Sequence, residues 1–266
     1  GHVPFTRFSD MMRIAPDLLR LSGHRSVYAL VSRYVKHPKL RIALSFHPLL
    51  IGGNPFSASS VYCLISYLER KWGVHFAMGG TGALVDGLAE LVRGQGGAVR
   101  CGAEVDEILV EDGRARGVRL ADGETLRADI VVSNAETGHT YKHLLKRARR
   151  GRWSDQRVER ARYSMSLFVW YFGVRRRYED VDHHTILLGP RYRGLLTDIF
   201  SRKRLAKDFS LYLHRPTATD PTLAPDGCDA FYVLSPVPNL ESGVDWSVEA
   251  EPYRQAIEAR LEATLL

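Results

Sequence analysis

Residues 78–135 constrain the fold more tightly than any other part of the chain. They open on Gly79-Gly80-Thr81-Gly82, after which Leu84, Leu88, Leu91 and Val92 recur at helical spacing and give one apolar face. Gly94, Gly96 and Gly97 tolerate positive φ, so the helix is expected to stop there. Short strand-like pieces follow at 98–101, 105–111, 114–120 and 125–127. Asp112-Gly113 and Asp122-Gly123 lie between them, the dipeptide that most favours a tight hairpin. Ile130-Val131-Val132 then predicts a buried strand that empties into the polar pair Ser133-Asn134. A helix, a meander and a buried strand in that order call for both helices and sheets.

With 266 residues and 45% of them hydrophobic, the chain can bury a sizeable core in one or two domains. Its net charge of +7 invites an anionic partner. Basic residues gather at Lys142, Lys146, Arg147, Arg149, Arg150 and Arg152, again at Arg175 to Arg177, and at Arg202 to Arg204. Such clusters suit an anionic membrane surface, where each nearby cation contributes about 1 kcal/mol, or else form solvated faces. No recognition module accompanies the charge, so nucleic acid is not expected as a partner. Cys63, Cys101 and Cys228 are odd in number and far apart, which points away from disulfides or zinc and toward a reducing compartment. The start lacks the pattern of a signal peptide. No apolar run approaches bilayer length, the most apolar, 165–174, being strand-sized.

Residues 1–76 read as mostly helical. Ser9 and Asp10 can cap a helix that Pro16 ends or restarts, and Val27, Leu30, Val31 and Tyr34 mark another. An apolar segment from Leu40 to Ile51 is broken at Pro48, and a further helix is expected from Ser57–Ser60 through Leu68. Downstream, Phe168, Trp170 and Phe172 alternate with Leu167, Val169 and Tyr171, so that a strand here is apolar on both faces. Strands are also expected at 210–214 and 230–234, and a last helix from Glu251-Pro252. Neither a G-x-S-x-G elbow nor a P-loop is present, which leaves hydrolase and nucleotidase readings without support. His139 and His143 stand at i and i+4 with no Glu or Cys to complete a metal set. Asp182, His183 and His184 can ligate, shuttle protons or simply form a polar turn; no metal is expected.

Phe46-His47-Pro48-Leu49-Leu50-Ile51-Gly52-Gly53-Asn54-Pro55-Phe56 resembles the FSFH-x-LL-x-GGNPF segment of bacterial-type phytoene desaturases, in the carotenoid desaturase branch of the flavin amine oxidase superfamily. Trp72-Gly73-Val74 ahead of the glycine turn is similar too. So are His183-His184-Thr185, Gly189-Pro190-Arg191-Tyr192, the LYLH at 211–214, the LAP-x-G at 223–227 and the PVP at 236–238. The resemblance covers the whole chain. It implies an α/β (α+β) fold: a helical substrate or membrane part at 1–76, the middle piece of a discontinuous FAD domain at 77–137, and a mixed-sheet substrate domain at 138–266. The family's G-x-G-x-x-G strand-turn-helix and its Gly-rich flavin motif have no counterpart, so the chain reads as an interior fragment.

The same resemblance implies FAD as cofactor, with Val105 against the adenine and Glu104, Asn134 and Ala135 beside it. It implies stepwise oxidation of phytoene toward lycopene or neurosporene, with oxygen or a quinone as electron acceptor. The protein would sit peripherally on the cytoplasmic face of the cell membrane. By spacing alone Asp10 and Arg13, on one side of a helix, read as a surface ion pair; the resemblance matches them to the family's pair near the reaction centre, which implies a role in moving a proton. An uncharged polyene needs an apolar tunnel, and Phe46, Phe56, Phe168, Trp170, Phe172, Tyr212 and Tyr232 are its wall candidates or plain core. The competing readings are a lipid- or membrane-binding module without flavin, and a related carotenoid isomerase or saturase.

Overall fold

The computed structural model describes the backbone of residues 8–265 and the side chains of residues 12–265. The chain divides into two compact units, one formed by the chain up to Leu84 and from Ser164 onward, the other by residues 85–163.

The first unit begins with four helices, α1 (Phe8–Arg20), α2 (Val27–Tyr34), α3 (Pro38–Ala43) and α4 (Leu64–Trp72). Pro16 lies inside α1 instead of ending it. A proline in a helix costs the bond to the carbonyl four residues back, here that of Met12, and this helix is largely exposed, so water can take it. Ser26 caps α2 by accepting the Ala29 N–H at 3.1 Å. The helix expected from Ser57–Ser60 is in fact a 3₁₀ turn, Ser60–Cys63, that leads into α4.

The second unit is entered along α5 (Gly80–Gly94), which stops where the glycines predict, with Gly96 at φ +82°. Three strands follow, β1 (Val105–Glu111), β2 (Arg114–Leu120) and β3 (Thr125–Arg127), paired antiparallel in sequence order. Asp112 and Gly113 both take positive φ, 50° and 74°, the two-residue turn whose twist matches the strands it joins. Gly117, at φ +136°, is obligatory because a Cβ there would lie 2.1 Å from the Leu126 carbonyl oxygen. A three-residue helix, α6 (Thr137–His139), runs into a π-turn (Thr140–Leu144), and α7 (Asp155–Glu159) follows. This unit extends past residue 137 because Lys142 pairs with Glu159 at 2.6 Å while Lys146 pairs with Asp106 of β1.

Two expected strands of this unit do not form. Residues 98–101 are irregular, and Ile130-Val131-Val132 lies outside any strand, with Ile130 79% and Val132 87% exposed. An apolar run becomes a buried strand only when neighbours pair with it, and none does among the described residues.

The first unit closes with β4 (Ser166–Val174), β5 (His184–Leu187), α8 (Tyr192–Phe200), β6 (Leu211–His214), β7 (Asp229–Val237) and α9 (Trp246–Glu262). The strands make one sheet in the order β4-β7-β6-β5, antiparallel throughout where a mixed sheet was expected. α9 begins ahead of Glu251-Pro252 because Asp245 caps it, accepting the Ser247 N–H at 3.0 Å. Tyr253, Ile257 and Leu261 of α9 pack with Leu211, Leu213, Phe231 and Val233 from one face of the sheet, the main core. A second cluster joins Met165 to Tyr192, Leu195, Leu196 and Ile199 of α8, with Ile42, Leu49 and Phe56 against it.

Candidate functional site

The opposite face of the four-stranded sheet is the candidate site. Antiparallel register lines its side chains up in rows. Leu167 stands opposite Pro236. Val169, Leu234, Tyr212 and Ile186 form the next row, and Tyr171, Tyr232, His214 and His184 the one after. The face is thus apolar at one end and aromatic and imidazole-rich at the other.

Over the apolar end lies a cavity of about 120 Å³, lined by Leu167, Ile186, Leu234 and Pro236 from the strands, with Phe46, Leu49 and Leu50 above them. Tyr192 and Tyr212 reach it as well. Ligand pockets usually span roughly 300–1,000 Å³, so this space seats a segment of a ligand and not a whole one. Beyond it the face continues uncovered, with Val169 39% and Tyr171 72% exposed. The Tyr192 hydroxyl is buried without a partner, and burial pushes its pKa up.

Among the wall candidates, Phe46 and Tyr212 line this cavity. Phe56 stands behind it, between Tyr28 (ring centroids 4.6 Å) and Tyr192 (6.1 Å), with the Arg193 guanidinium 3.8 Å from its ring centre. Phe168, Trp170 and Phe172 point to the other face and pack in the α9 core, so they take no part in the cavity wall. The reason is strand alternation: their neighbours Leu167, Val169 and Tyr171 hold the open face. Arg13 is exposed on α1, and the side chain of Asp10 lies outside the described residues. In the other unit Glu104, Asn134 and Ala135 are exposed and Val105 is half-buried, which leaves the backbone there accessible.

The polar end of the face holds a histidine cluster. His184 Nδ1 lies 2.6 Å from the Tyr212 hydroxyl, and His214 Nδ1 lies 3.1 Å from the same oxygen. Tyr232 stacks on His214 with ring centroids 4.4 Å apart. His183, from the segment entering β5, meets Thr219 Oγ1 through Nδ1 and packs edge-on against Phe76. Burial holds the His214 pKa down to about 4, helped by the neighbouring His183 and His184. His183 is lowered by burial, then by His184 and Arg215, and His184 by burial alone. All three shifts favour the neutral ring. His183 and His184 stand out in the sequence, but their third member does not; the signal for it was Leu-Tyr-Leu-His, whose alternation puts Tyr212 and His214 on one face. His139 and His143 do approach, with ring centroids 5.1 Å apart, but no third donor joins them among the described residues.

Two of the three basic clusters are partly neutralised, while Arg175 to Arg177 form no ion pair among the described residues. Arg150 pairs with Asp155 at 2.6 Å, and Arg202 pairs with the buried Asp198 at 2.8 Å. Arg147, which stands 3.6 Å from Glu107, and Arg204, 3.7 Å from Asp198, are held less closely.

The comparisons with known proteins agree with these features. Residues 3–226 match the family model described as flavin containing amine oxidoreductase. The chain belongs to that family. It is 52% identical, over 272 aligned positions, to a phytoene desaturase (neurosporene-forming) from Rhodobacter capsulatus, covering 100% of this chain and 52% of that protein. It is 47% identical to a phytoene desaturase (lycopene-forming) from Pantoea ananas, covering 98% of this chain and 54% of the other. The chain thus spans about half the length of the curated relatives it matches. Among solved structures, an oxidoreductase from Methanosarcina mazei superposes with a TM-score of 0.64 at 20% identity, over 98% of this chain and 58% of that one; the likeness is one of fold.

Proposed function

We propose that this chain is the interior part of an FAD-dependent phytoene desaturase, a flavoenzyme that oxidises a long, uncharged carotenoid precursor toward neurosporene or lycopene. The observation that carries the reading is the open sheet face, whose cavity is walled almost wholly by carbon. A hydrocarbon gains from every apolar contact there and gives up no hydrogen bond on leaving water or lipid. The relatives named above support the substrate class.

The residues of 78–135 fit part of a flavin domain. Leu84, Val85, Leu88 and Leu91 of α5 are each more than half exposed, and Ile130 and Val132 more so, which is the surface a further sheet layer would cover. The backbone at Glu104, Val105, Asn134 and Ala135 would hold the adenine side of FAD. When bound, FAD supplies a two-electron acceptor for the hydride. The chain's own part is to exclude water at the Phe46–Leu234 end, align the polyene along the strand rows, and take up the proton, for which Asp10 and Arg13 are the proposed pair.

Peripheral attachment to the cytoplasmic face of a membrane belongs to the same proposal, and apolar residues are the better anchor. Leu19, Tyr34, Ile51, Tyr67 and Trp72 are all more than half exposed in the helical part, whereas two of the three basic clusters are partly paired. No helix among the described residues is long and apolar enough to cross a bilayer. Oxygen or a quinone is the proposed electron acceptor.

The test uses the whole protein with phytoene in liposomes. Leu234→Asp should lower turnover at least tenfold with flavin absorbance unchanged, and Asp10→Asn with Arg13→Ala should lower it while substrate binding persists. Full turnover in Leu234→Asp would overturn the cavity assignment. A preparation without flavin that still binds carotenoid liposomes would favour the lipid-binding module, and conversion of phytoene without loss of hydrogen an isomerase.

A further inference from the structure

We propose that His183, His184 and His214 form a binding site for one divalent late transition-metal ion, with Zn²⁺ as the reference case. This goes beyond the desaturase reading, in which no metal takes part, and it departs from the sequence, which suggests none.

The site is built by the fold. Antiparallel pairing places His184 directly opposite His214 on the open sheet face, and the chain entering β5 brings His183 alongside. One ring nitrogen from each of the three lies within 4.8 Å of the others. Tetrahedral zinc holds its nitrogens at about 2.0–2.1 Å, hence roughly 3.4 Å from one another. Closing the difference takes a shift of little more than about 1 Å, within reach of small side-chain rotations.

Three further observations point to a ligand here. Each imidazole has its Nδ1 against a hydroxyl oxygen, His183 on Thr219 and both His184 and His214 on Tyr212. Ligating histidines are commonly oriented this way, one ring nitrogen held by an oxygen and the other left for the metal. The Tyr212 oxygen has lone pairs enough to accept from both histidines, and each ring that donates its Nδ1–H there keeps a lone pair on Nε2 for a metal. Finally, His183 Nε2 is buried with no hydrogen-bond partner, and an orphaned buried polar atom costs about 1–3 kcal/mol unless something binds it.

The donor set selects the ion. Three imidazoles with no carboxylate or thiolate suit Zn²⁺, Cu²⁺ or Ni²⁺ and not the oxygen-seeking Mg²⁺ or Ca²⁺. Arg215, the cation bearing on His183, is already engaged by Asp229 at 3.2 Å and by the Tyr178 carbonyl. His214 is buried and His184 exposed, which gives the ion a way in and leaves a coordination position open.

The experiment uses the whole protein, free of any histidine tag and stripped with chelator. Co²⁺ is titrated in while visible absorbance is followed, and Zn²⁺ then competes it out. One site per chain is expected. Affinity should fall at least 100-fold in His214→Ala and in His183→Ala, and by about 10–100-fold in Tyr212→Phe, which removes only the orienting hydroxyl. His139→Ala and His143→Ala should leave it unchanged. If His214→Ala fails to fold, His184→Gln, at an exposed position, must still lose the site. No stoichiometric binding, or binding that survives His184→Gln, or binding lost only with His139 or His143, would each overturn the proposal. Flavin absorbance and turnover play no part in these readings, so the metal site and the desaturase assignment can fail separately.

Discussion

α5 and α9 carry nearly the same apolar spacing and meet opposite fates. In α9, Tyr253, Ile257 and Leu261 recur every fourth residue and are 8%, 0% and 0% exposed. In α5, Leu84, Leu88 and Val92 recur at the same interval with Leu91 beside them, and all are at least 43% exposed. α9 lies on a sheet that this chain supplies, while the cover for α5 is not among the described residues. Periodicity therefore specifies that a face exists and which residues form it. Whether the partner is encoded in the same stretch of chain is a separate matter, settled only by finding the other surface.

Substitutions sharpen that contrast. The largest effect is expected on the covered side, at Asp229, which accepts the Thr217 hydroxyl at 2.6 Å and the Tyr178 N–H at 2.8 Å and faces the Arg215 guanidinium. Asp229→Ala strands a buried cation and should cost about 3–5 kcal/mol in urea unfolding. Ile257→Ala, which empties a fully enclosed position, should cost about 2–5 kcal/mol by the same measurement.

A smaller effect with a pH signature is expected at Asp220. Its carboxyl is held below the usual carboxylate range, first by the Thr222 hydroxyl at 2.6 Å and then by the Gly79 N–H, also at 2.6 Å. A carboxyl whose folded pKa is depressed adds stability above its unfolded value of about 3.9, and that stability is lost as pH falls through the folded value. Thermal melts of the parent between pH 5 and pH 2 should show this loss, and Asp220→Asn should lack that part of it.

The smallest effect is expected on the uncovered side. Leu88→Ala should change the stability of this chain by less than about 1 kcal/mol, because little apolar area leaves water there. If Leu88→Ala proved as costly as Ile257→Ala, the contrast between the helices would be broken. In a longer form of the protein that does cover α5, the Leu88 effect should rise toward that of Ile257.

Local signals read well wherever local chemistry decides the outcome. Asp112-Gly113 makes the tight turn its composition requires, and the glycines after Arg93 end α5. Ile130-Val131-Val132 did not become a strand, because strand formation depends on neighbours that no local pattern reports. The aromatic strand β4 was legible as two-faced, but which face would be core was not. That choice fell to α9, a helix more than seventy residues further along the chain. For the same reason the cavity kept Phe46 and Tyr212 and lost Phe168, Trp170 and Phe172 to the interior. His214 joined the two adjacent histidines only through strand register, which no spacing along the chain displays.

Pro236 decides where this sheet can stop growing. β7 is flanked by β6 through Leu234 and runs on beside β4 alone, so at Pro236 it is locally a sheet margin. A proline there removes one backbone N–H from that stretch, which disfavours the pairing of a further strand. The rim next to Leu167 stays accessible to a molecule that asks for contact and no hydrogen bonds, while a stray peptide segment finds less to grip.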